Sequence, residues 1–157
     1  MVDIIVIGAG VAGMTAALNA LRNGKTVKVL EQETFGGQIS YSPRVENFPT
    51  IQKISGMELA DRLFEQITAL GADIELEKVV GIEKLGNDFK VILEDNKFYE
   101  AHSIILATGV KHRRLTIPKE EELEGKGVSY CALCDGAFSK GEEVAIIGDA
   151  NSALQYA

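Results

Sequence analysis

Residues 3–13 read DIIVIGAGVAG, a β-branched apolar run that breaks at once into three glycines. A continuous run of this kind suits a strand buried on both faces. A helical stretch follows from about Val11 to Asn23, with alanines and leucines on one side, and Gly24 stops it. The next strand, TVKVLE at 26–31, ends on an acid. Gly8, Gly10 and Gly13 therefore match G-x-G-x-x-G with a strand before, a helix after and Glu31 about twenty residues on. Gly8 permits the tight turn, Gly10 lets backbone approach a pyrophosphate, and Gly13 lets helix and strand pack closely. The helix N-terminus, with its unpaired N–H groups and dipole, then holds phosphates, and Glu31 accepts hydrogen bonds from an adenosine ribose. The pattern predicts an α/β fold that binds a dinucleotide.

Beyond this unit the sequence is uneven. Residues 32–55 are rich in Gly, Pro, Ser and Asn without periodicity and are expected to form a long loop of the functional kind. Apolar positions Met57, Leu59, Ala60, Leu63, Phe64, Ile67 and Leu70 recur at helical spacing within 56–71. DIELEKVVGIEKL and FKVILE read as short strands with a turn at Gly86-Asn87-Asp88. SIILATG, 103–109, reads as a third buried strand closing on small residues. Ala107-Thr108-Gly109 then brings bare backbone to the strand's carboxyl end, where ligands sit in open α/β sheets, although a plain turn fits equally. The acidic stretch 119–124 is expected to be a linker, and EVAIIGDANSALQYA, 143–157, repeats the opening order of strand, glycine turn and helix. A second such unit cannot bury its apolar faces alone, so a fragment of a longer chain is expected.

Composition narrows the function classes. Of 157 residues, 46% are apolar and 25% charged, the balance of a soluble globular protein. Acidic residues outnumber basic ones 23 to 16, a net charge of −7 that argues against nucleic acid as a partner. No apolar run approaches the roughly 20 residues that cross a bilayer. Asp3 precedes the first apolar run and no basic leader stands before it, so a cytoplasmic protein is expected.

The only two cysteines, Cys131 and Cys134, stand in SYCALCDG. A structural zinc site takes four ligands, whereas this chain supplies one pair, and His102 and His112 are expected to be ordinary surface residues, so no metal is expected. A static crosslink so short constrains the unfolded chain little, and a reducing compartment disfavours it. A working redox pair remains, since two-residue spacing lets a disulfide open and close readily. Asp135 places a carboxyl within reach as a proton carrier, or serves only as a turn residue before Gly136. Dithiols exchange two electrons, which an isoalloxazine ring can take from a hydride donor and pass on.

In order and spacing, GAGVAG, FGGQI (35–39), VENFP (45–49), ATG (107–109) and GVSYCALCDGAF (127–138) resemble the low-molecular-weight thioredoxin reductases of bacteria and archaea, over essentially the whole chain. The resemblance implies a three-layer ββα Rossmann-like FAD-binding domain at 1–114. The start of a second, nicotinamide-type Rossmann-like domain would occupy 115–157. It places Gly8, Ala9, Gly10, Val11, Ala12 and Gly13 on the pyrophosphate of FAD, and Glu31, Gln32, Gly36, Gly37 and Gln38 around the adenosine and phosphates. Gln38 and Asn47 would lie near the flavin, Val79 near the adenine, and Ala107, Thr108 and Gly109 along the cofactor. Cys134 would face the flavin, Cys131 would attack the partner disulfide, and Asp135 would be the acid–base group. The implied reaction reduces thioredoxin or a thioredoxin-like protein, with NADPH as donor and a homodimer as assembly.

The resemblance breaks at GDANSA, 148–153, where the family reads GGGxxA. Ala150 replaces a glycine and Asp149 sets a negative charge beside a pyrophosphate, so a purely structural turn fits there as well as a nucleotide site. This departure resembles relatives that take electrons from reduced ferredoxin. The flavoprotein of an alkyl hydroperoxide reductase and a nucleotide-binding module without turnover are the other readings. The family also runs to about twice this length.

Overall fold

The opening run becomes β1 (Val2–Ile7) because both of its edges find partners. It lies parallel to β2 (Val27–Glu31) on one side, with Ile7 opposite Leu30, and parallel to β6 (Phe98–Leu106) on the other, with Ile7 opposite Leu106. The computed structural model describes residues 1–111, 113–149 and 151–157, with Leu133 and Ser152 by backbone alone. With β3 (Asp73–Leu76), β4 (Val79–Leu85) and β5 (Asp88–Leu93) the sheet has six strands in the order β3-β2-β1-β6-β5-β4. The first three pairings are parallel and the last two antiparallel.

Helices α1 (Val11–Arg22) and α2 (Gly56–Ala69) cover one face. Met14 and Ala17 of α1, and Leu63 and Ile67 of α2, pack with Val6, Val27 and Val29 in one buried cluster. The helical spacing read from the sequence holds, although Met57 and Leu70 at the ends of the α2 stripe are exposed. Burial of a large aliphatic side chain is worth about 2 kcal/mol, against under about 1 for an exposed ion pair. The apolar faces, not the surface charges, hold this unit together.

β6 is one long strand with two jobs. Phe98–Ala101 pairs with β5, Ala101–Leu106 pairs with β1, and Ala101 belongs to both ladders. The β4-β5-β6 meander thereby returns over the other sheet face and closes a second cluster of Ile5, Ile7, Leu30, Val91, Leu93 and Ala101. Tyr99 confirms the return, since its hydroxyl donates to Glu75 Oε2 at 2.6 Å and its ring lies 4.2 Å from Lys28 Nζ. Meander, sheet and helices are the three layers of a ββα Rossmann-like unit.

Several expectations need correction. The loop 32–55 contains a 3-10 turn at Gly37–Tyr41 and a bridge between Val45 and Ile54, two residues that are both buried. The strand at 103–109 begins earlier, at Phe98, and its last residue Leu106 is exposed, because the edge it ends on is open. The acidic stretch is not a linker: Glu120–Leu123 forms α3, and Glu120 is only 6% exposed. No described strand pairs with residues 143–147, and Val144 and Ile147 are 66% and 69% exposed. An apolar run makes a strand only when neighbours supply its hydrogen bonds.

The chain divides into two compact units, 1–46 with 51–110, and 47–50 with 111–157. The second holds α3, α4 (Ala132–Asp135), a 3-10 turn at Gly136–Ser139 and α5 (Asn151–Tyr156). His102 is a surface residue, 2.7 Å from Asp88, while His112 and Ala150 lie outside the described residues. No described helix is long and apolar enough to cross a membrane.

Candidate functional site

Parallel pairing sends β1, β2 and β6 to one carboxyl edge, so Gly8, Glu31 and Ala107 leave the sheet side by side. Gly8 has φ +104°, its N–H donates to Leu30 O at 2.8 Å, and a Cβ there would stand 2.2 Å from Ala107 O. A Cβ on Gly13 would stand 1.9 Å from Gly8 O. Both positions are closed to any side chain by backbone. Gly10 differs: its nearest neighbour would be Gly36 O at 3.8 Å, so the space beside it is open.

The FGGQI loop lies along this turn. Gly36 N–H donates to Ala9 O at 2.8 Å, and Gly10 and Gly36 form a bridge. Gly10 is also the N-cap of the twelve-residue α1, with no side-chain cap and no acid in the first turn. The positive end of the helix dipole is therefore left for an anion.

Glu31 is 9% exposed, and its carboxylate is already engaged. Oε2 accepts Ala9 N–H at 2.8 Å, and Oε1 accepts Gln32 and Glu33 N–H, both at 2.9 Å. A carboxylate has about four acceptor positions, so one remains on Oε2 for a ligand hydroxyl. A buried acid offering a single lone pair beside an open glycine turn fits the adenosine half of a dinucleotide.

The edge thus gathers Gly8 through Gly13, Glu31, Gln32, Gly36, Gly37 and Ala107, with Thr108 and Gly109 exposed just beyond. The Gln38 amide donates to Val110 O, tying the loop to the segment after β6. Val79 opens β4 three residues past Leu76, which pairs with Glu31, but its side chain packs in the meander cluster. Asn47 is exposed and groups with the second unit.

In the second unit Cys131 and Cys134 are joined in a disulfide. Cys131 is the N-cap of α4, and its carbonyl accepts the N–H groups of Cys134 and Asp135, each at 3.0 Å. The Ser129 hydroxyl donates to Asp135 Oδ2 at 2.5 Å and accepts Cys131 N–H at 3.1 Å. Tyr130 donates to Glu120, which also accepts Leu115 N–H at 3.1 Å. The Tyr130 hydrogen bond, against the opposing effect of burial, holds the Glu120 carboxyl below its usual range, and the same bond raises the Tyr130 phenol. At the second glycine turn, a Cβ on Gly148 would stand 2.7 Å from Ala153 Cβ, and Asp149 is exposed.

A family profile described as pyridine nucleotide-disulphide oxidoreductase matches residues 2–157. The chain belongs to this family. A relative from Clostridium pasteurianum, named as a 34.2 kDa protein in a rubredoxin operon, is 44% identical over 155 residues, covering 99% of this chain and 50% of that protein. A thioredoxin reductase of Bacillus subtilis is 39% identical over 156 residues, covering 98% and 48%. The crystal structure of a thioredoxin reductase from Streptococcus pyogenes matches with a TM-score of 0.85 at 44% identity, covering 88% of this chain and 45% of that one. The chain spans about half the length of the relatives it matches.

Family membership leaves some of the structure's own residues unannounced in the sequence. Ser129 and Tyr130 stand in the cysteine motif without a role that spacing announces, and Glu120 stands in the expected linker, because their bonds depend on how residues 115–135 fold. Lys28 was also missed. It is 4% exposed and pairs with Asp73 at 2.6 Å and Glu75 at 2.7 Å. A charge inside an otherwise apolar strand was the available signal, since lysine is almost never buried without partners.

Proposed function

We propose that this chain is the FAD- and dithiol-bearing part of a flavoprotein disulfide reductase that reduces thioredoxin or a thioredoxin-like protein. The observation that carries the reading is the pairing, on one chain of this family, of an open, uncapped glycine turn with a CxxC closed as a disulfide. Gly8 to Gly13 would hold the pyrophosphate, Glu31 and Gln32 the adenosine, and Gly36, Gly37, Gln38, Asn47, Val79 and Ala107 to Gly109 the remainder. Bound FAD supplies a two-electron carrier. Cys134 takes the electrons as the disulfide opens, Cys131 attacks the partner disulfide, and Asp135 moves the proton. By the same resemblance the protein works in the cytoplasm as a homodimer.

NADPH is the proposed donor. Reduced ferredoxin is the second reading, favoured by the exposed carboxylate of Asp149 in the second glycine turn, which repels a pyrophosphate. Anaerobic mixing of the purified holoenzyme with NADPH decides between them: bleaching of the flavin band supports the nicotinamide, and an unchanged spectrum with bleaching by reduced ferredoxin supports the other. Cys134→Ser tests the enzyme itself. The variant is expected to stay yellow and to lose disulfide reduction by about a thousandfold, on the order of a catalytic nucleophile's contribution. Full turnover in that variant would sink the dithiol route, and an alkyl hydroperoxide reductase flavoprotein would instead show its preference in assays with the matching peroxidase.

A further inference from the structure

Ser129 has no part in the proposed electron route, yet its hydroxyl makes two bonds around the dithiol. Oγ accepts the Cys131 N–H at 3.1 Å and lies 2.5 Å from Asp135 Oδ2. A hydroxyl carries one hydrogen, so with its lone pair facing an N–H that hydrogen is left for the carboxylate. Hydrogen bonds to an ionised acceptor are the stronger kind. Ser129 therefore ties the backbone of the first cysteine to the acid that follows the second. It is exposed, so packing gives no other reason for its placement.

We infer that Ser129 is a positioning residue for proton transfer at the dithiol, its hydroxyl holding the Asp135 carboxylate at the Cys131 end of α4. This rests on the reading of Asp135 as the acid–base group. In the reduced state one sulfur is a thiolate and the other a thiol. The thiolate attacks the partner disulfide, forming one sulfur–sulfur bond and releasing one partner sulfur as a thiolate. The remaining thiol gives its proton to Asp135, and its sulfur closes the Cys131–Cys134 bond while displacing the second partner sulfur. Asp135 returns the proton to a departing sulfur. Two electrons have passed to the partner and the carboxylate is unchanged. Ser129 carries none of these protons; it acts by keeping Asp135 in place.

A double-mutant cycle on the holoenzyme tests this, with Ser129→Ala, Ser129→Thr, Asp135→Asn and the Ser129→Ala/Asp135→Asn double variant. General acid–base groups contribute roughly 100-fold or more, and loss of positioning removes part of that. Ser129→Ala is expected to lower kcat about 10-fold with KM for the oxidised thioredoxin unchanged, and Ser129→Thr to recover it to within about 2-fold. The double variant is expected to be no slower than Asp135→Asn, because the serine has nothing left to position. A second readout needs no turnover: after reduction by dithiothreitol, the ratio of iodoacetamide labelling at Cys131 and Cys134 should change alike in Ser129→Ala and Asp135→Asn. Wild-type kcat in Ser129→Ala, or effects that multiply in the double variant, would overturn the inference alone. Full turnover in Asp135→Asn would overturn the acid–base reading and this inference together.

Discussion

The chain carries two glycine turns of similar pattern, and the structure treats them differently. Around Gly8 to Gly13 the preceding run is a strand hydrogen-bonded on both edges, and the following twelve-residue helix packs on Val6, Val27 and Val29. Around Gly148 to Ala153 no described strand pairs with the preceding run 143–147, and α5 has six residues. The apolar residues are of the same kind in both. What differs is the presence of neighbours among the described residues, so flanking strands fix the backbone of the first glycine motif.

The largest expected effect breaks or upholds this contrast directly. Gly13→Val places side-chain atoms against Gly8 O and Ala107 Cβ, neither of which can retreat without moving a paired strand. Overpacking of this kind should cost about 3 kcal/mol or more. Gly148→Ala meets one methyl group, that of Ala153 on the six-residue α5, and should cost below about 1 kcal/mol. Urea unfolding of both variants in the holoenzyme checks the difference. Equal losses would mean the second turn is as tightly held as the first.

The strong elements were legible because their periodicity is their own. β1, α1, β2 and α2 each carry an apolar pattern that needs no distant partner to be recognised. The first half of β6 was not, since FYEAH alternates inward Tyr99 and Ala101 with exposed Phe98, Glu100 and His102 and sits beside a turn. Glu120 was misread for a similar reason. Within KEEELE it looks like any solvated acid, and only its bonds to the Tyr130 hydroxyl and to the Leu115 and Ile117 amides explain its burial. The tight glycine turn and the paired cysteines follow from residue type and spacing, whereas the single open acceptor on Glu31 and the serine bridge at Asp135 depend on geometry that no spacing encodes.

Lys28 supplies a middle-sized effect, specific to the first unit. Burial lowers its pKa, but the hydrogen bonds to Asp73 and Glu75 win and leave it raised. The Lys28 bond, then that of Tyr99, lowers Glu75. Glu75 thus adds stability that is present above its unfolded value of about 4.3 and is lost as pH falls through its lower folded value. Lys28 adds stability present below about 10.4 and lost as pH rises through its higher folded value. Lys28→Met should cost about 2 kcal/mol at pH 7, less than a fully buried pair because Asp73 is largely exposed. The gap to wild type should narrow below about pH 4, measured as urea midpoints across pH 3–7. A gap that is constant with pH would assign Lys28 a packing role alone.

The smallest effects compare two helix starts within the first unit. Ser55 caps α2, its Oγ accepting the Glu58 N–H at 3.1 Å, and the S-x-x-E pattern before an apolar stripe announces it. Ser55→Ala should therefore cost about 1 kcal/mol in thermal or urea unfolding. Gly10, at the start of α1, has extended backbone (φ −72°, ψ 179°) that any residue adopts, and open space beside it. Gly10→Ser should leave stability unchanged or raise it by a few tenths of a kcal/mol, since serine is the better cap. The same hydroxyl would occupy the amides and the space proposed for the pyrophosphate, so flavin retention on purification should fall while the unfolding midpoint holds. A variant that kept both would show that the first turn is open for some reason other than phosphate, and would separate the fold of this edge from its proposed use.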